Sequence, residues 1–151
     1  MGYNYLSHDN YCAYHNYEKR FELTNELIET IFAIGFDFSR LFHEINERLP
    51  TGETFLIWCA YSMKKYCGFG QKRVIDLIKH AFKVCPNIDI NAKDTNGCYY
   101  DYTALHYAAI ANNEDFVKLL LDNNIDKNTR AMDGKMAIDL AKSENIRKLL
   151  L

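Results

Sequence analysis

Residues 103–109, which read TALHYAA, decide the fold of this chain of 151 residues. A few residues further on, 116–121 place apolar side chains at helical spacing after two acidic residues. Asparagine pairs at 112–113 and 123–124 predict turns before and after this second helix, because asparagine tolerates the left-handed backbone that such turns need. The segment therefore predicts two short helices joined by a tight turn.

The same pattern recurs on both sides of this segment. Residues 52–60 (GETFLIWCA) and 133–141 (DGKMAIDLA) are further copies of it. The turn motif DIN at 89–91 recurs as DKN at 126–128, and a glycine follows each of the two asparagines six residues later. One helix pair cannot bury its apolar face alone, so the copies are expected to stack on one another.

These motifs resemble the ankyrin signature T-P-L-H-x-A-A and its D-V-N turn, which repeat about every 33 residues. The resemblance covers residues 22–151 and implies an all-α solenoid of stacked helix-turn-helix units with β-turn fingers. We divide it into four repeats, of which the first and last are degenerate: 22–49, 50–93, 94–130 and 131–151. Residues 1–21 contain five tyrosines and lack repeat character, so we interpret them as a cap or tail.

Three insertions interrupt the repeat period. The repeat pattern places a turn glycine about six residues after Ser39, but the next glycine in the chain is Gly52. We therefore interpret 40–49 as an extra amphipathic helix that ends before Pro50. Residues 64–71 contain two glycines and predict a loop, with part of the excess at 80–87. The finger that follows Gly97 is four residues longer than the pattern requires.

Composition excludes several classes of protein. The chain is 48% apolar and 25% charged, which is typical of a globular domain. A net charge of -2 argues against non-specific nucleic-acid binding, and the longest apolar run, 55–61, is too short to cross a membrane. We identify no leader and no paired C-x-x-C among the five cysteines, so we expect free thiols and a reducing, cytoplasmic compartment.

Few residues suggest chemistry of their own. The resemblance implies that His106 ties the start of its helix to the turn, although Cys98, Asp101 and His106 could also be drawn as a catalytic set. His8, Cys12 and His15 have the spacing to share one helix face and bind zinc, but no fourth ligand is evident. We therefore predict no catalytic residue, no metal and no cofactor.

The resemblance implies a concave groove, with partner contacts at variable helix positions and on the fingers. Tyrosine and tryptophan are favoured there because they bury a large area at small entropic cost; the alternative for these aromatics is packing in the core or between fingers. The predicted contact residues are Trp58, Tyr61, Ser62, Tyr99, Tyr100, Tyr102, Tyr107, Ile110 and Ala111. Asn128 and Asn91 occupy the position that an asparaginyl hydroxylase modifies in some ankyrin proteins, and Leu120, eight residues before Asn128, matches the preference of that enzyme, so Asn128 is the predicted site.

The resemblance implies a non-enzymatic module that binds a protein partner as a monomer. Diverged repeats rich in Asn, Lys and Ile resemble those of viral proteins or of bacterial effectors delivered into a host cell. Two alternatives remain open. One is a metal-binding or Cys/His-dependent enzyme that uses the N-terminal segment. The other is a scaffold that self-associates through the apolar end at 148–151.

Overall fold

Six helices form the parts of the chain that the computed structural model describes, residues 45–48, 52–63, 69–95 and 101–151. They are α1 (Phe55–Ser62), α2 (Phe69–Val84), α3 (Ala104–Ile110), α4 (Glu114–Asp122), α5 (Ala137–Leu140) and α6 (Glu144–Leu150). These ranges contain no β-strand, so the predicted all-α class is confirmed.

The helices stack in two layers. The inner helices α1, α3 and α5 pack on one another, and each also contacts the outer helix of its own pair, α2, α4 or α6. Between the layers lies one apolar core, in which Phe116, Leu120 and Ile146 are fully buried. The predicted solenoid of stacked helix-turn-helix units is confirmed.

Side-chain caps set where several of the helices begin. Asn113 Oδ1 accepts a hydrogen bond from Phe116 N at 2.9 Å, and Ser143 Oγ accepts one from Ile146 N at 3.3 Å. Each cap satisfies a backbone N–H that has no partner within the helix. Asn124 closes α4 with a φ of 64°, as the asparagine pair predicts.

Hairpin-like fingers connect each outer helix to the next inner helix. In the finger before α3, Asp94 N donates to Tyr102 O at 2.7 Å and Asp101 N donates to Asp94 O at 2.8 Å. In the finger before α5, Ala131 N donates to Lys135 O at 2.9 Å. Gly134 turns this finger with a φ of 79°, a conformation that side chains with a Cβ rarely adopt.

A ladder of asparagine bonds joins the turns of successive repeats. Asn46 Oδ1 accepts from Asp89 N at 2.7 Å, and Asn91 Oδ1 accepts from Asp126 N at 2.8 Å. In two of these turns an aspartate accepts from the backbone of the asparagine two residues later: Asp89 Oδ1 from Asn91 N at 3.1 Å, and Asp126 Oδ1 from Asn128 N at 2.9 Å. An asparagine side chain in one repeat thus accepts a hydrogen bond from the backbone of the next repeat.

The ladder corrects the interpretation of residues 40–49. Positions 45–48 form a turn and not a helix, because Asn46 bonds to the next turn and Arg48 Nη1 donates to Gly52 O at 2.6 Å. Gly52 therefore follows the turn residue Asn46 by six residues, as the glycines of the later repeats follow their turn asparagines. The position of Gly52 is explained without an inserted helix. Residues 40–44 lie outside the described ranges.

Part of the extra length of this repeat lies in its outer helix, and residues 64–68 lie outside the described ranges. Helix α2 has 16 residues, whereas α4 has nine. The loop expected at 64–71 is already helical from Phe69, and α2 continues to Val84 through part of the segment expected to hold the excess. The limits assigned to the four repeats stay predictions.

The ladder predicts a difference between two asparagines. We expect Asn91→Ala to lower the free energy of unfolding by about 1 kcal/mol, because it leaves Asp126 N without its acceptor. Asn128→Ala is the matched control, since its side chain makes none of the bonds described above. Urea unfolding measures both, and equal losses for the two variants would contradict a stabilising ladder.

Candidate partner-binding surface

His106 links the start of α3 to the finger that follows. Its Nδ1 accepts from Thr103 N at 3.1 Å and lies 2.9 Å from Thr103 Oγ1. Its Nε2 lies 3.1 Å from Lys135 O, and because Nδ1 is an acceptor, Nε2 carries the proton and donates. Both ring nitrogens therefore hold the backbone, which is the role that the sequence resemblance implies for this residue.

Burial favours the neutral form of this imidazole. His106 is 1% exposed, and desolvation lowers its pKa below the usual range, although the bond to Lys135 O and the charge of Asp133 act in the opposite direction. Protonation would also place a hydrogen on Nδ1, which would then face the N–H of Thr103. Protonation of His106 thus opposes the folded state.

Aromatic rings pack around this histidine in an unbroken row. The ring of Tyr102 stacks on His106 with centroids 5.0 Å apart and meets Tyr107 edge-on at 5.8 Å. Tyr61 from α1 meets Tyr107 from the other side at 5.7 Å. Such edge and offset contacts stabilise beyond the apolar area that they bury.

Polar ends of these rings bond to the fingers. The hydroxyl of Tyr107 donates to Oδ2 of the buried Asp94, and that of Tyr102 donates to Asp133 Oδ2 at 3.3 Å. Partial burial raises the pKa of the Asp133 carboxyl, but hydrogen bonds from Lys135 outweigh it and hold that pKa below its usual range. The aromatic row therefore connects two successive fingers to the inner helices.

Three residues predicted as exposed partner contacts are buried. Tyr107 is 0% exposed, Tyr102 is 3% exposed and Ser62 is 4% exposed. The tyrosines pack within the row, and Ser62 Oγ donates to Trp58 O at 2.9 Å on its own helix. The expectation that these side chains are exposed is wrong, because the two tyrosines belong to the apolar core and Ser62 bonds back to its own helix.

Four other predicted contacts are half-buried on α1 and at the end of α3: Trp58, Tyr61, Ile110 and Ala111. We call these four residues the inner-helix strip. Trp58 lies edge-on to Phe55 with centroids 6.4 Å apart, so its ring is supported by its own helix. Tyr99 and Tyr100 lie outside the described residues, and binding by any of the strip residues stays a prediction.

The structure adds one exposed apolar side chain that the sequence analysis did not select. Met132 is 76% exposed at the tip of the finger before α5. Met132 lies two residues before the turn residue Gly134, which is a finger-tip position. This spacing in the sequence could have identified Met132 as exposed. Asn128 is exposed in the preceding turn.

The remaining chemical candidates fall largely outside the described ranges. His8, Cys12, His15 and Cys98 all lie there, so the zinc and catalytic hypotheses stay untested. Among the described residues, no cluster of three or more His, Cys, Asp and Glu side chains could hold a metal ion. None of the described helices has the length and apolar character to span a membrane.

Comparison with known proteins identifies the repeats. Residues 10–131 match the family described as ankyrin repeats (3 copies). The chain is 31% identical over 125 residues to the ankyrin repeat protein OPG189 of variola virus. The aligned region covers 82% of this chain and 18% of that protein. It is 32% identical over 109 residues to protein glp-1 of Caenorhabditis elegans, covering 72% of this chain and 8% of that protein. The chain therefore spans less than a fifth of the length of either relative.

The environment of His106 predicts a pH-dependent stability. Its folded-state pKa lies below the unfolded value of about 6.5, so the unfolded chain binds more protons between the two values. Stability from this group is complete above the unfolded pKa and falls as pH decreases through that value. We expect His106→Gln to unfold at lower urea at pH 7.5 but to lose less stability than the wild type on going to pH 5.

The Asn91→Ala variant provides the control for this experiment, because it lowers stability without removing a group that titrates in this range. We expect Asn91→Ala to keep the wild-type loss of stability between the two pH values. Urea midpoints for the three proteins at both pH values measure the effect. If His106→Gln loses as much as the wild type, the buried imidazole does not control the pH response.

Proposed function

The chain belongs to the ankyrin-repeat family, and from that premise we propose that it holds a protein partner on the inner-helix strip and the finger tips. Ankyrin repeats indicate a protein–protein interaction module. We propose further that each copy binds as a monomer and performs no chemistry on its partner. The observation that supports the strip most is its half-exposed aromatic and aliphatic surface on a rigid helix layer.

Rigidity is what makes this surface suitable for binding. The neighbouring His106 ring and Asn91 amide tie α3 and its turns to the adjoining repeats. Tyr61 is held against Tyr107, and Trp58 against Phe55. Side chains that are already ordered lose little conformational entropy when a partner binds, so more of the contact energy contributes to affinity.

Trp58 is the residue on which we expect binding to depend most. Tryptophan is enriched among the few interface residues that supply most of the binding energy. Trp58 is the single tryptophan of the chain, and it is half-buried at the strip. Its fluorescence is therefore a specific probe of contact at this surface.

We propose that the partner is a host protein in a reducing compartment. The variola virus relative supports a viral, host-directed role over the bacterial alternative. Cys59 and Cys85 are free and buried, and burial raises the pKa of both thiols, which keeps them in the unreactive protonated form. Buried thiols without a disulfide suit the cytoplasm of the host cell.

The test is affinity capture from eukaryotic lysate with a strip variant, Trp58→Ala with Ala111→Arg. The variant removes the aromatic anchor and adds a bulky charge while it leaves Tyr107 and the core in place. Val84→Ala is the control, because Val84 is 44% exposed on an outer helix. Circular dichroism must show that all three proteins are folded.

We expect the wild type and the control to capture the same protein and the strip variant to lose it. With the purified partner, loss of a central anchor should weaken binding by roughly 30-fold, measured by titration of Trp58 fluorescence for the wild type and by calorimetry for both. Equal capture by the strip variant would place the contact on another surface.

Asn128 is also proposed as a site of enzymatic hydroxylation. Its side chain is exposed and makes none of the ladder bonds, whereas Asn91 Oδ1 accepts from Asp126 N. We expect protein purified from eukaryotic cells to gain one oxygen atom at Asn128 and none at Asn91, as read by peptide mass spectrometry. An unmodified Asn128 would remove this site.

A further inference from the structure

A cleft of about 640 Å³ lies between the outer helices α2 and α4. At one end Asn113 Nδ2 donates to Gln71 Oε1 at 2.9 Å, which joins the starts of the two helices. From this end the cleft extends along both helices to Lys79 on α2 and Asp122 on α4. The two helices therefore run in the same direction along the cleft. By contrast, α4 and α6 pack directly against each other.

Charged side chains line both walls in alternating order. On α2 the order is Lys72, Asp76 and Lys79; on α4 it is Asp115, Lys118 and Asp122. Steps of three and four residues put each set on one face of its helix, about one turn apart. The signs therefore read plus, minus, plus on one wall and minus, plus, minus on the other.

These charges are not neutralised across the cleft. All six side chains belong to exposed residues, and within the described parts of the chain five of them form no ion pair. Lys118 pairs with Glu114 on its own helix at 2.6 Å, which lowers the pKa of Glu114. Between the walls lie Ile75, which is buried, and Leu119, which is half-buried.

The two walls are complementary to each other across a two-fold axis. A rotation of 180° about an axis parallel to the helices lays α2 of one copy over α4 of the other. Lys72 then faces Asp115, Asp76 faces Lys118, and Lys79 faces Asp122, and symmetry repeats the three pairs. We propose that a second copy of this chain docks on the α2–α4 cleft through this self-complementary charge pattern.

The sign order is what selects a second copy as the occupant. A uniformly acidic or basic partner would meet like charge at three of the six positions, and like charges in contact oppose association. A suitable partner must alternate in sign at one-turn spacing, and this chain carries that pattern on the adjacent helix. The cleft lies in the outer layer, so pairing leaves the inner-helix strip of both copies open, and a pair would bind a partner bivalently.

The expected association is weak and depends on salt. Exposed ion pairs contribute little each, so we expect a dissociation constant on the order of 100 μM. Raising the salt concentration from about 0.01 M to about 1 M shortens the screening length from about 30 Å to about 3 Å and should abolish pairing. At low concentration the chain should therefore be a monomer, which agrees with the proposal that each copy binds its partner as a monomer.

Two charge-reversed variants test the proposal in sedimentation equilibrium. The first reverses the α2 wall with Lys72→Glu, Asp76→Lys and Lys79→Glu. The second reverses the α4 wall with Asp115→Lys, Lys118→Asp and Asp122→Lys. In each variant alone the facing walls carry like charges, so each should stay monomeric at concentrations where the wild type pairs.

An equimolar mixture of the two variants should pair again at low salt. The reversed α2 wall of the first variant then faces the reversed α4 wall of the second, and the two unreversed walls face each other, so opposite charges meet at every position. Lys142→Glu, which changes an exposed charge on neither helix of the cleft, should pair like the wild type. Thermal melts confirm folding, and if a triple variant does not fold, the single substitutions Asp76→Lys and Lys118→Asp replace it. A monomeric wild type at millimolar concentration in low salt, or a mixture that stays monomeric, would overturn the proposal.

Discussion

Close stacking of the inner helices is the constraint on which the rest of the molecule depends. At the centre of the stack, Ala104, Ala108 and Ala109 of α3 are fully buried between α1 and α5. Small side chains allow the helices to approach closely, and this approach puts His106 within bonding distance of Lys135 O in the next finger. It also allows Asn91 to reach the following turn. The hydrogen bonds between repeats are therefore consequences of the apolar stack as well as supports for it.

The two layers carry different surfaces and suit different contacts. The inner layer presents a half-buried strip of aromatic and aliphatic side chains, which favours desolvated contact with a protein. The outer layer presents solvated charges of alternating sign along the α2–α4 cleft, where contacts are weak and selective. Because the surfaces lie on opposite layers, occupation of one does not obstruct the other.

The burial of the tyrosines could not be predicted from the sequence. Position 107 is a variable position of the repeat, and its equivalent, Trp58, is half-buried as expected of a groove residue. Tyr107 is buried because the finger carrying Asp94 and Tyr102 closes over it and supplies a partner for its hydroxyl. Exposure at a variable position depends on the neighbouring repeat and the finger, which repeat spacing does not describe.

The sequence by itself determined the helical repeat, the structural role of His106, and the turns at the asparagines, since these depend on local spacing, capping and backbone conformation. It did not determine the register of the first turn, where Asn46 and not Ser39 carries the ladder, because that assignment requires the bond from Asp89 N, 43 residues away. Only the tertiary structure decided that part of the extra length lies in α2, that Tyr102 and Tyr107 are core residues, and that a cleft lies between α2 and α4. Each of these results depends on which distant segments pack together, and packing between segments far apart in the chain is not encoded in the local pattern of either one.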